Sequence, residues 1–304
     1  MDSYLHRSHT TVAKGVAILL IIGCHLCSAV LPFGIARLTT PLGGTAVAIF
    51  LFLSGYGLNE SQKQNRLTHY WTKKLKNVLV PYFVTFLVYI TVMHTKLTPT
   101  EGILLLLTAK EKHDYYFWYV GYQFYCYFIF FWSIRYSSSY YAKYGVLMIG
   151  SVVSFCLFNE LRAEQSLSFL LGVLASDCPS VKKSLQSKIM VFAALFVGVG
   201  MLALKQFPAI RDAHTWVLKA VQMAIKLSLA IWIIWFVCYV DKIKWVSRFL
   251  RWIGKYSYEL YLAHAIAMLV LLYCSTAWWG VALFAALTVI FAFLLDRIRK
   301  IIAR

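Results

Sequence analysis

The sequence predicts an all-α fold, a polytopic membrane helical bundle of about ten transmembrane helices with both termini cytoplasmic. Three observations carry that expectation. The 304 residues are 61% hydrophobic and only 14% charged, with a mean hydropathy of +0.68, a balance outside the range of soluble domains. Apolar runs suited to a hydrocarbon layer about 30 Å thick recur along the chain. The basic residues, 30 Lys and Arg against 12 Asp and Glu, gather in alternate loops, and such residues remain on the cytoplasmic side of a membrane.

Taken in order, the expected spans are 11–31, 42–60, 78–95, 115–134, 145–159, 166–176, 189–205, 217–240, 253–273 and 277–295. The fifth and sixth are the shortest. Segment 101–109 is too short to cross and is bounded by charge, so it reads as a re-entrant or interfacial piece. With the N-terminus inside, the cytoplasmic segments collect Arg7 and Lys14, then Lys63 to Lys76, Arg135 and Lys143, Lys182 to Lys188, Lys242 to Lys255, and Arg297 to Arg304. Arg37, Lys96, Lys110, Lys112, Arg162, Lys205 and Arg211 fall outside.

The formal charge of +18 follows from this bias and suits anionic lipid headgroups. No basic soluble domain remains once the spans are removed, so nucleic acid is not an expected partner. The first apolar run outlasts a signal-peptide core, and residues 1–304 read as a single membrane domain. The seven cysteines are scattered and nearly all within spans, which is not a disulfide framework. Cys24-His25-Leu26-Cys27 is not a metal site either, because consecutive helical residues point about 100° apart.

The chemistry begins in the first span. Eleven helical steps from Lys14 to His25 turn about 1100°, within about 20° of three full turns, so the two residues share one face. They stand roughly 16 Å apart along the axis, which sets a basic group at the inner surface and an imidazole near mid-membrane. An ionisable group at that depth is a functional candidate by default.

Ser54 and Tyr56 bring hydroxyls to the cytoplasmic end of the second span, where Gly55 and Gly57 permit close helix packing. Lys73, Lys74 and Lys76 line the entrance to the third. Taken alone, these features suit packing and topology as well as they suit a polyanion site. Near the other end, Tyr261 and His264 lie three apart on one helix face, and Glu259 follows Lys255 by one turn. His264 is a second candidate catalytic imidazole, with a structural interhelical hydrogen bond as the competing role. An ion pair with Lys255 is the expected role of Glu259.

Together these segments resemble the acyltransferase 3 family of integral membrane O-acyltransferases. The resemblance rests on Lys14 and His25, on Phe50-Leu-Phe-Leu-Ser-Gly-Tyr56, on the basic run leading to Pro81-Tyr82, on Trp118-Tyr119, on Phe169-Leu-Leu-Gly172 and on Gly254-Lys-Tyr-Ser-Tyr-Glu-Leu-Tyr-Leu-Ala-His264. One departure is the third-span entrance, where lysines and Asn77 stand where the family carries arginines. A lysine does not supply a guanidinium's bidentate fork.

The resemblance implies transfer of an acyl group, acetyl foremost, from cytoplasmic acyl-coenzyme A to a hydroxyl of a cell-surface glycan or lipid-linked sugar at the bacterial inner membrane. The donor's phosphates would sit among Lys14, Lys73, Lys74 and Lys76, beside Ser54 and Tyr56. His25 would act as general base, with an acyl-histidine nucleophile as the alternative. Asp114, Trp118, Tyr119 and Tyr261 are the candidate acceptor contacts, although aromatic residues also populate any membrane interface.

In the eighth span Lys226 suits either an anionic acceptor or a carboxylate partner, and Lys219 snorkels outward. The expected partners are therefore acyl-coenzyme A, a glycan or glycolipid and membrane lipid, with no metal; a homo-oligomer is compatible with the sequence, which does not set the oligomeric state. The alternative function is a lipid or polyisoprenoid-glycan transporter without acyl chemistry, but the inverted repeats with interrupted helices expected of one are not found.

Overall fold

The computed structural model describes residues 4–92, 98, 116–137, 139–212, 216–274 and 277–303. Among them every regular element is helical, as apolar segments in lipid require, since a helix satisfies its backbone hydrogen bonds internally. The main helices are α1 (Arg7–Val30), α2 (Phe33–Asn65), α3 (Tyr70–Val92), α4 (Trp118–Arg135), α5 (Tyr140–Leu157), α6 (Ser168–Asp177), α7 (Lys188–Leu204), α8 (Trp216–Val240), α9 (Lys244–Lys255), α10 (Ser257–Cys274) and α11 (Trp278–Ala303).

Among the described residues, six helices are long and apolar enough to cross a membrane: α1, α2, α3, α5, α8 and α11. A seventh arises if α9 and α10, separated by a break at Tyr256, count as one span. The other expected spans coincide with α4, α6 and α7. Of these, α4 has tyrosines and a glutamine among its apolar residues, α6 has 10 residues and α7 has 17.

The chain forms two compact units. The first comprises Met1–Ile21, Thr40–Arg66 and Tyr125–Lys255. Within it α2 and α6 approach backbone to backbone: a Cβ on Gly55 would fall 2.2 Å from the Phe169 carbonyl oxygen, and one on Gly172 would fall 2.0 Å from that of Phe52. No other residue fits at such a crossing, so here the helix-packing reading of Gly55 holds. Val221, Ile225 and Leu229 of α8 form an apolar cluster with Leu195, Met201 and Leu202 of α7.

A polar network joins α2, α5 and α6. Asp177 lies 2.5 Å from the Lys143 ammonium, and accepts hydrogen bonds from Asn59 at 2.5 Å and from Tyr144 at 2.9 Å. Burial raises the Asp177 carboxyl pKa, but the bonds from Lys143, Asn59 and Tyr144, together with the charge of Lys143, hold it below the usual range.

The second unit comprises Ile22–Thr39, Leu67–Phe124 and Tyr256–Arg304. Its core is Ala267, Met268 and Leu271 of α10 with Phe284 of α11, against which Ile22, Leu26 and Ala29 of α1 pack. A π-helical turn at Leu75–Leu79 interrupts α3. The Tyr258 hydroxyl donates to the Val78 carbonyl there at 2.8 Å, so a side chain of α10 binds backbone within the irregular turn.

Candidate active site

The site is built on α1, which is continuous from Arg7 to Val30 and carries both Lys14 and His25, as their spacing requires. Both side chains are half-buried. His25 belongs to the second unit, where its ring stacks on His264 of α10 at 5.3 Å between centroids and 30° between planes. Tyr116 closes the group, edge-on to His25 at 5.1 Å and to His264 at 5.9 Å.

Tyr116 is held in two ways. Its neighbour Phe117 is buried, with ring contacts at 5.7 Å to Tyr82 and 5.1 Å to Tyr89 of α3. Its own carbonyl accepts a hydrogen bond from the Tyr261 hydroxyl. Tyr261, three residues before His264, also lies 5.5 Å from the His264 ring and 5.4 Å from that of Tyr119. The helical spacing read from the sequence thus places Tyr261 and His264 side by side as expected. His264 itself is fully buried, at 0% exposure, and its Nδ1 is hydrogen-bonded to the Tyr261 carbonyl.

Trp118 is half-buried at the start of α4, and Tyr119 is buried beside Tyr261. Asp114 lies outside the described residues. Lys73 is exposed, Lys74 and Lys76 are half-buried, and the Lys74 ammonium stands 5.7 Å over the Tyr70 ring. Asn77 donates to the Lys73 carbonyl at 2.9 Å. In the first unit Ser54 and Tyr56 are half-buried, and the Tyr56 hydroxyl accepts from Lys182 at 3.4 Å, with that ammonium 5.8 Å over its ring. Lys182 is a neighbour the sequence reading missed.

Glu259 requires a correction. It is 1% exposed and pairs with Arg299 of α11 at 3.1 Å, where Lys255 was expected. The i,i+4 relation needs one continuous helix, and the chain leaves the helix between Lys255 and Ser257. Lys226 takes the carboxylate of its two sequence readings, forming an ion pair with Glu164 and donating to Gln222 at 3.0 Å. Lys219 donates to the Phe158 carbonyl at 3.0 Å.

Comparison with known proteins decides the family. The acyltransferase domain of the acyltransferase 3 family matches residues 11–297. The chain belongs to this family. No curated protein and no solved structure matches it. As a member with several long apolar helices, it is a membrane-embedded acyltransferase, and the match runs from the helix bearing Lys14 and His25 into α11.

Proposed function

We propose that this acyltransferase moves an acyl group, acetyl foremost, from cytoplasmic acyl-coenzyme A to a hydroxyl of a cell-surface glycan or lipid-linked sugar, with His25 as general base. The observation that carries this reading is the imidazole pair of His25 and His264, walled by Tyr116, in which His25 stands on the helix that also bears Lys14. His25 takes the hydroxyl proton as the oxygen attacks the thioester carbonyl. The C–S bond then breaks, the thiolate of coenzyme A departs, and the proton held by His25 returns to that sulfur. Lys14 anchors the donor's phosphates, with Lys73, Lys74, Lys76, Ser54 and Tyr56 as further donor contacts on sequence grounds. Trp118, Tyr119, Tyr261 and Asp114 serve the acceptor.

Purified protein given radiolabelled acetyl-coenzyme A and a surface-glycan acceptor is expected to release free thiol in step with label entering the glycan. A transporter would move the glycan without consuming thioester. Lys14→Ala should weaken donor binding roughly ten- to hundredfold, because a charge-assisted hydrogen bond contributes on the order of 1.5–3 kcal/mol. Titration calorimetry with a non-hydrolysable acyl-coenzyme A analogue measures it, and unchanged affinity would remove Lys14 from the donor site.

In this reading the protein lies in the bacterial inner membrane as one domain with ten crossings and cytoplasmic termini, as the basic loops suggest. Single cysteines at Gln64, Ser184 and Lys244 in a cysteine-free background should resist an impermeant thiol reagent in intact cells. Those at Thr39 and Pro208 should react. The opposite pattern would invert the topology.

A further inference from the structure

The imidazole beside His25 indicates what kind of acceptor the site takes, an argument that rests on the acyl-transfer reading above. Nδ1 of His264 is hydrogen-bonded to the Tyr261 carbonyl. A carbonyl oxygen only accepts, so Nδ1 carries the hydrogen, and the neutral ring then presents a bare lone pair at Nε2. That nitrogen is buried and has no hydrogen-bond partner among the described residues. One neighbouring polar group, the Tyr261 hydroxyl, is already engaged, donating to the Tyr116 carbonyl, and the following turns of α10 present Ala267, Met268 and Leu271. A buried acceptor without a donor is destabilising, so its presence calls for an explanation in function. His25 and His264, with ring centroids 5.3 Å apart, set two imidazoles side by side.

We infer that Nε2 of His264 accepts a hydrogen bond from a second hydroxyl of the acceptor, on the carbon next to the one that reacts at His25. The substrate class is then a vicinal diol, as on a sugar ring, and not an isolated alcohol. His264 binds and orients the acceptor, and His25 performs the proton transfer. A site built to receive a hydroxyl rejects the analogue that lacks it, because the buried acceptor is left unpaired.

The test compares cyclohexane-1,2-diol with cyclohexanol as acceptors for acetyl-coenzyme A, scored as kcat/KM. The wild type should prefer the diol by at least about tenfold, the effect of one well-formed hydrogen bond. His264→Phe keeps a flat ring and removes the acceptor atom, so the preference should fall toward one through a higher KM for the diol. His264→Gln, which returns an acceptor near the position of Nε2, should restore part of it. His25→Ala should abolish transfer to both. Equal rates in the wild type would overturn the inference, as would a preference that survives His264→Phe. Loss of both activities in His264→Phe, matching His25→Ala, would also overturn it and would make His264 part of the chemistry or of the scaffold. If the wild type acetylates neither compound and no glycan, the acyl-transfer reading fails and takes this inference with it.

Discussion

Replacing His25 with Ala or Gln is expected to remove acyl transfer, lowering turnover by about 10²–10⁴-fold, while membrane insertion and yield stay close to wild type. The size of the effect follows from its assigned step. Without a group to take the hydroxyl proton, attack on the thioester must proceed from a neutral alcohol or rely on water as base. The small structural effect follows from its setting. His25 is half-buried on a 24-residue helix whose neighbouring residues Ile22, Leu26 and Ala29 make the apolar contacts with α10 and α11. Turnover measured beside a size-exclusion profile separates the two outcomes. Near-normal rates in both variants would end the assignment of His25 as base.

How much of this was legible in the sequence depends on distance along the chain. The pairing of Lys14 with His25 on one helix and that of Tyr261 with His264 were readable, because both lie within single helices and the 3.6-residue period determines which positions share a face. The stacking of His25 on His264 and the placement of Tyr116 across both rings were not. They arise from packing of α1 and α10 with the residues before α4, and no local period encodes that. The same limit explains Glu259, whose partner Arg299 stands 40 residues later on α11, and the three-helix network around Asp177.

The spans differ in how plainly length and composition mark them. Expected spans at 115–134, 166–176 and 189–205 do coincide with helices. Polar aromatic residues in α4 and the shortness of α6 and α7 put them below what length and composition alone identify as crossing. A helix largely buried in a bundle, as α6 is, need not meet the standard of one facing lipid.

Removing the Glu164 carboxylate is expected to produce the largest loss of stability of any single substitution considered. Glu164 is 3% exposed and Lys226 is 5% exposed, and the two form an ion pair within the first unit. The surroundings are fitted to the lysine. A Cβ on Gly44 would meet the Lys226 Cε at 2.3 Å, so α2 leaves that space to the lysine stem, and Gln165 fastens the same spot by donating to the Gly44 carbonyl at 3.0 Å. Gln222 accepts from both Lys226 at 3.0 Å and Lys205 at 3.1 Å, which leaves Glu164 to balance the ammonium. Glu164→Ala should therefore cost about 3–5 kcal/mol, the usual consequence of stranding one buried charge. The double variant Glu164→Leu with Lys226→Met should recover most of that loss, because a buried pair replaced by apolar groups of similar volume is often neutral. Thermal denaturation in detergent, followed by intrinsic tryptophan fluorescence, measures both. A single variant as stable as wild type would show that Lys226 reaches water or another anion once Glu164 is gone. A double variant no better than the single would show that the pair is needed for the packing of α2 and α8 and not merely for charge balance.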